Sequence, residues 1–248
     1  MLAIIGGTGL TRLKNLNITH RQVIRTPYGE PSGALMYGEI NGHHVVFIAR
    51  HGYGHTIPPH EINYRANIWA LAEQKVTRVV SVCTVGGIRE DLPPGTIVLP
   101  NQIIDYTHSR KHTFFEGGDK PVTHVDFTEP YTPKLRSRIL QAALVAKQRV
   151  LDGGVYAATQ GPRLETAAEI NRIAADGGSI VGMTGMPEAA LAREAGLSYA
   201  AIAVVANWAA GRGDSLHKVD LRLAENVFED AIEHVHRILE ALVKVDGD

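Results

Sequence analysis

The residues best placed to do chemistry sit at the ends of apolar runs. Gly6-Gly7-Thr8-Gly9 follows the run Leu2 to Ile5, and glycines there let backbone N–H groups and the Thr8 hydroxyl approach an anion closely. A phosphate cradle and a plain tight turn both fit this motif. A dinucleotide fingerprint does not, because its third glycine would fall at Arg12, and no Gly-Lys-Ser/Thr follows to make a nucleotide P-loop. Arg50 and His51 close the run His44 to Ala49, where open α/β sheets place their ligands. The planar guanidinium suits a phosphate and His51 offers a second donor. A surface ion pair beside a packed histidine fits these two residues equally.

Further along, Glu165 and Glu169 lie four apart near a helix start, where negative charge also suits the helix dipole. Val181-Gly182-Met183-Thr184-Gly185-Met186-Pro187-Glu188 ends a strand and begins a helix through a polar turn suited to ligand contact. Asn207 places one amide at the end of the apolar run Tyr199 to Val205, and a buried amide demands partners. No metal site is expected. His60-Glu61 begins a zinc-protease helix signature, but Tyr64 stands where its second histidine belongs. His234 and His236, two apart on a helical pattern, point to different faces. Cys83, the single cysteine, reads as a small core residue of a buried strand.

The elements that must position these residues are short β-branched runs alternating with helical patterns. The runs are Leu2 to Ile5, His44 to Ala49, Val79 to Cys83, Thr96 to Leu99, Gly154 to Ala157, Ser179 to Met183 and Tyr199 to Val205. Several are apolar on both faces, as in strands covered on both sides of a mostly parallel sheet. Helical patterns fall at Asn63 to Glu73, Pro133 to Lys147, Glu165 to Ala175, Pro187 to Glu194 and Asp220 to Val243. The last carries a stripe of Val227, Ala231, Val235, Leu239 and Val243 that should pack across the sheet. The class is therefore α/β, a single domain over 1–248 with a central mixed, largely parallel sheet flanked by helices. With 44% hydrophobic residues the chain can bury a proper core, and a formal charge of −1 supplies no basic field for nucleic acid or an anionic membrane. One cysteine, no signal-like start and no apolar run of spanning length lead to the expectation of a cytoplasmic protein.

Taken in order, these segments resemble the trimeric purine nucleoside phosphorylase family, and within it the methylthioadenosine phosphorylase branch. The pieces are Gly6-Gly7-Thr8-Gly9-Leu10, Ala49-Arg50-His51-Gly52 through Asn63-Tyr64-Arg65-Ala66-Asn67-Ile68-Trp69-Ala70, Gly161-Pro162-Arg163, and Gly182-Met183-Thr184 with Pro187-Glu188. They span nearly the whole chain in the family's order. The resemblance implies the nucleoside phosphorylase type I fold and phosphorolysis: inorganic phosphate attacks the ribose anomeric carbon and displaces a purine, with phosphate as co-substrate and no cofactor. It also implies that Thr8, Arg50, His51 and Thr184 hold the phosphate, with help from the backbone around Thr84. Met183 would pack on the ribose. His124 would be lent to the 5′ end of a neighbouring subunit's substrate, in a homotrimer.

Two departures bear on the substrate. Asn207 stands where methylthioadenosine phosphorylases place an aspartate, and Glu165-Thr166 where they place small hydroxyl residues. Both match a 6-oxopurine: the Asn207 amide can donate to O6 while its carbonyl accepts from N7–H, and Glu165 can accept from N1–H. At the 5′ end, the family's nucleoside-specific members use a histidine followed by an acidic residue. Val219-Asp220 fills that pair here, with His217 two residues upstream. An apolar residue suits a methylthio group, so S-methyl-5′-thioinosine is the expected substrate. An inosine/guanosine phosphorylase, a methylthioadenosine enzyme and a non-catalytic nucleotide- or phosphate-binding module of the same fold are the alternatives.

Overall fold

A computed structural model describes residues 1–7, 10, 15–118, 121–220 and 225–245. Its strands form one mixed sheet of 11, and the two that organise it are the ones the apolar runs mark most strongly. Strand β1 (Leu2–Gly6) lies parallel to β4 (His43–Ala49) on one side and to β5 (Arg78–Gly87) on the other. Both faces of β1 are covered: Ala3 and Ile5 join one apolar cluster, Leu2 and Ile4 the other. Helices α1 (Tyr64–Glu73) and α4 (Glu188–Glu194) supply the first cluster, and α2 (Pro133–Val145) and α5 (Glu225–Val245) the second. Along α5 the expected stripe holds at Ala231, Val235, Leu239 and Val243, all buried, whereas Val227 at its start is 44% exposed.

The feature that makes a site is a split along one edge of β5. Its other edge pairs with β11 (Ser198–Trp208) over the whole length. On the split edge, β1 pairs only as far as Ser81, and β10 (Ile180–Gly182), coming antiparallel from the opposite end, pairs only at Gly86 and Gly87. The edge between them, Val82 to Val85, faces a gap into which the chain leaving β1 and the chain leaving β10 both turn. Since Val82 and Gly86 both use this edge, the two-residue alternation turns the backbone of Thr84 toward it as well.

The elements depart from the sequence expectation at the periphery. Two antiparallel strands, β2 (Asn17–Gln22) and β3 (Leu35–Ile40), extend the sheet beyond β4, and β7 (Gln102–Asp105) and the two-residue β8 (Leu151–Asp152) complete it with β6 (Ile97–Leu99) and β9 (Val155–Ala158). Of the strands absent from the sequence expectation, β2, β3, β7 and β8, β3 alone carries a buried apolar run. Strand β10 stops at Gly182, which releases Met183 into the following turn. Helix α3 (Ala167–Ala175) begins two residues later than its charge pattern suggests, because Thr166 caps it: the Thr166 hydroxyl accepts from the Glu169 N–H and the Glu169 carboxylate accepts from the Thr166 N–H. Glu169 is therefore the structural glutamate of the pair, and Glu165 lies outside the helix.

Candidate active site

The gap in the sheet opens into a cavity of about 350 Å³ whose walls include Arg50, His51, Thr84, Glu165, Met183, Thr184, Asn207 and Val219. Eight residues singled out from sequence thus meet in one place, drawn from strands β5 and β11 and from loops that follow other strands. His124 is exposed and stands away from this wall, and so does the exposed His217. Thr8 lies outside the described residues.

At one end the site is built from a buried ion pair. Arg50 follows β4, beside the end of β1, where its N–H donates to the Gly6 carbonyl. Its guanidinium is 1% exposed. Nε donates to Glu188 Oε2 (2.6 Å), Nη2 to Glu188 Oε1 (3.0 Å) and to Ser81 Oγ (2.6 Å), and Nη1 to the Val82 carbonyl (3.0 Å). Among the described residues one of the five guanidinium N–H groups is left over, on Nη1. Gly7 sits against that nitrogen: a Cβ there would stand 2.7 Å from Nη1, so a side chain would stopper the donor. Glu188, entirely buried, also accepts from Ser81 Oγ (2.7 Å) and the Tyr199 hydroxyl (2.8 Å). Burial alone would lower the Arg50 pKa, but the charge and hydrogen bonds of Glu188 outweigh it and raise it, keeping the guanidinium charged.

His51 departs from its expected role. Its Nδ1 lies 2.8 Å from the Ile57 carbonyl, which can only accept, so Nδ1 carries a proton. Burial, and then the neighbouring Arg50 charge, lower its pKa to about 4. The imidazole is neutral at ordinary pH, and the nitrogen left for the cavity, Nε2, is an acceptor rather than the second donor read from sequence. Cys83 behaves as expected, a buried residue of β5 whose thiol is pushed up to about 12 by burial.

At the other end the polar groups are half-buried. Asn207 follows a bulge in β11, where the register with β5 skips from Val205 to Asn207. The extra residue re-aims the amide at the cavity. Its Nδ2 donates to the Trp208 carbonyl (2.7 Å), which fixes which end is nitrogen and leaves one N–H and Oδ1 for a ligand. Glu165 accepts from Thr159 Oγ1 (2.6 Å) through Oε1. It also borders a second cavity of about 380 Å³ lined by Tyr106, His108, Gln160 and Arg163.

Between the two ends runs a residue that sequence reasoning passed over. Arg110, 8% exposed, has no carboxylate partner among the described residues. It donates to the carbonyls of Met183 (2.8 Å), Met186 (2.6 Å), Thr159 (3.2 Å) and Gln160 (2.8 Å), to Gln160 Oε1 (3.1 Å) and to the Tyr64 hydroxyl (3.2 Å). It therefore ties the turn carrying Met183 and Thr184 to the loop leading to Glu165. In the run His108-Ser109-Arg110-Lys111-His112 it reads as a solvated charge, and nothing local distinguishes it. Glu188 was visible only as part of the Pro187-Glu188 motif. Met183 is held from below as well: Gly161, at φ +63°, is where any side chain would collide with its thioether.

The split sheet thus opens on one cavity with a buried arginine at one end and an amide and a carboxylate at the other. Residues 1–244 match the Phosphorylase superfamily, and the chain belongs to it. It is 52% identical over 226 residues to the "Probable S-methyl-5'-thioinosine phosphorylase" of Xanthomonas campestris, covering 91% of this chain and 90% of that protein. It is 44% identical over 239 residues to the 6-oxopurine nucleoside phosphorylase of Pyrococcus furiosus, covering 94% and 89%. Among solved structures, methylthioadenosine phosphorylase from Schistosoma mansoni in complex with adenine superposes with a TM-score of 0.94 at 34% identity, over 99% of this chain and 91% of that one.

Proposed function

We propose that this enzyme carries out the phosphorolysis of S-methyl-5′-thioinosine to hypoxanthine and 5-methylthioribose 1-phosphate. The observation that carries the reading is that one cavity holds both Arg50 with its spare N–H and the Asn207–Glu165 pair, with Val219 on its wall. Phosphate sits at the Arg50 end, against Thr184, Thr84, His51 and, by resemblance, Thr8. A phosphate oxygen attacks C1′ of the ribose as the C1′–N9 bond breaks and its electron pair goes to the base. Asn207 meets the charge developing on the purine, its remaining Nδ2 N–H hydrogen-bonding to O6 and its Oδ1 accepting from N7–H once the departing base has taken a proton from water. Glu165 accepts from N1–H, and Met183 packs on the ribose. Adenine would face Glu165 with an unprotonated N1, a buried mismatch costing about 1–3 kcal/mol.

Val219 supports the methylthio group over a 5′ hydroxyl, since it lines the cavity and His217 does not. The relatives named for S-methyl-5′-thioinosine agree with this reading. The reaction needs no cofactor beyond phosphate as co-substrate. His124, exposed and away from its own cavity, fits the role of a residue lent to a neighbouring site in a homotrimer. A cytoplasmic location goes with a chain whose single cysteine has no partner to pair with.

The decisive experiment is base release from methylthioinosine, methylthioadenosine, inosine and guanosine, each with and without phosphate. Methylthioinosine should be the best substrate and release should require phosphate. Release without phosphate would overturn phosphorolysis, preference for methylthioadenosine would overturn the base assignment, and preference for inosine the 5′ assignment. A fully active monomer in sedimentation would remove His124 from the site.

A further inference from the structure

The tautomer of His51 bears on which anion the site accepts. Its Nδ1 proton is committed to the Ile57 carbonyl, in a loop closed also by the Thr56 and Ile57 N–H groups donating to the His51 carbonyl, each at 3.1 Å. The ring is further held against His55, with centroids 4.6 Å apart. Its Nε2 has no hydrogen-bond partner among the described residues, and His51 is part of the cavity wall beside Arg50. Burial opposes its protonation, as do the charges of Arg50 and His55, whereas the hydrogen bond to the Ile57 carbonyl and the charge of Glu188 on α4 favour it. Burial and Arg50 prevail. A neutral imidazole with its Nδ1 proton spent presents a lone pair to whatever lies against Nε2.

Resting on the reading that phosphate binds here, we propose that His51 makes the site selective for a tetrahedral oxyanion that still carries a proton, such as hydrogen phosphate, against a fully deprotonated one such as sulfate. Hydrogen phosphate and sulfate share shape and, near neutrality, a double negative charge. They differ in that hydrogen phosphate has one O–H to give. With that O–H aimed at Nε2 both of these contacts are matched: Arg50 Nη1 donates to one oxygen and His51 accepts from another. Sulfate in the same place sets an oxygen lone pair against the Nε2 lone pair. A site built around a specific hydrogen bond rejects an analogue that lacks it far more strongly than shape alone would. The selection also orients the nucleophile. The protonated oxygen is held at His51, so an unprotonated one is turned to the anomeric carbon.

The test is sulfate as a competitor of phosphate in methylthioinosine phosphorolysis, at about pH 8, where phosphate is mostly the dianion. In the wild-type enzyme the sulfate inhibition constant should exceed the phosphate KM by about tenfold or more, the size of one mismatched buried hydrogen bond. His51→Gln, whose terminal amide can turn an N–H to either anion, should bring that ratio down several-fold while raising the phosphate KM. His51→Asn keeps an amide near the Ile57 carbonyl and removes the nitrogen facing the cavity, so it should lower the ratio as well, and thermal unfolding of both variants confirms an intact fold. Equal competition by sulfate in the wild type, or an unchanged ratio in both folded variants, overturns the proposal. An unchanged phosphate KM in both variants would instead show that phosphate binds elsewhere, which overturns the placement on which the proposal rests.

Discussion

The two ends of the cavity are made in different ways. At the end that the proposed function assigns to phosphate, Arg50 and Glu188 are both 1% exposed, and Ser81, Val82 and Tyr199 complete their hydrogen bonds from β5 and β11. At the end it assigns to the base, Asn207 and Glu165 are half-buried, with the Trp208 carbonyl and the Thr159 hydroxyl as local polar partners. The phosphate end is continuous with the core, so its geometry cannot change without disturbing the fold. The base end hangs on a bulge and on the residue before a helix cap, where a side chain can be exchanged while the backbone stays. On the proposed reading, phosphate is held where change is costly and the base is chosen where change is cheap.

The largest effect that would break this contrast is Glu188→Ala. It leaves a buried guanidinium without its counter-charge and should destabilise the protein by about 3–5 kcal/mol in chemical denaturation. A variant as stable as the wild type would show that the phosphate end is not part of the core.

Asn207→Asp comes next and should separate function from stability. It replaces the donor to O6 with a carboxylate, and kcat/KM for methylthioinosine should fall by the equivalent of about 2–4 kcal/mol. Its unfolding midpoint should move little, since the amide makes one hydrogen bond to its own neighbour. Adding Glu165→Ser removes the carboxylate opposed to adenine N1, so the double variant should shift furthest toward methylthioadenosine, with non-additive effects because both residues touch one base. Loss of both substrates in equal proportion would mean that the pair does not read the base.

The smallest effect belongs to the 5′ end. Val219→His offers a polar partner to a 5′ hydroxyl and takes apolar surface from a methylthio group. The kcat/KM ratio of inosine to methylthioinosine should rise by the equivalent of about 1–2 kcal/mol. An unchanged ratio would remove Val219 from the 5′ pocket.

Legibility from sequence followed burial. Strands β1, β4, β5 and β11 are covered on both faces, and their β-branched runs announce them. Strand β2, Asn-Ile-Thr-His-Arg-Gln, is exposed along its whole length and pairs at the sheet's outer edge, so no apolar pattern marks it. The same rule governs the site. Arg50, Thr184 and Asn207 stand at the ends of readable strands. Arg110 is buried by segments far from it in sequence, and its own surroundings, Ser109 and Lys111, suggest a surface turn. Glu169 and Glu165 were indistinguishable as first-turn acids until Thr166 was seen to cap the helix with one and exclude the other.

By itself, then, the sequence determined the alternation of buried strands and amphipathic helices and the chemical inventory at the strand ends, because hydrophobic period and residue type are local properties. Which charges are desolvated, and against what, was decided only by the tertiary structure. Arg50 and Glu188 are 138 residues apart, and the split edge of β5 exists because two strands distant in the chain stop short of each other along it. The tautomer of His51 belongs to the same category. It depends on where one carbonyl comes to rest, and a hydrogen bond's direction is a matter of geometry that residue type alone does not contain.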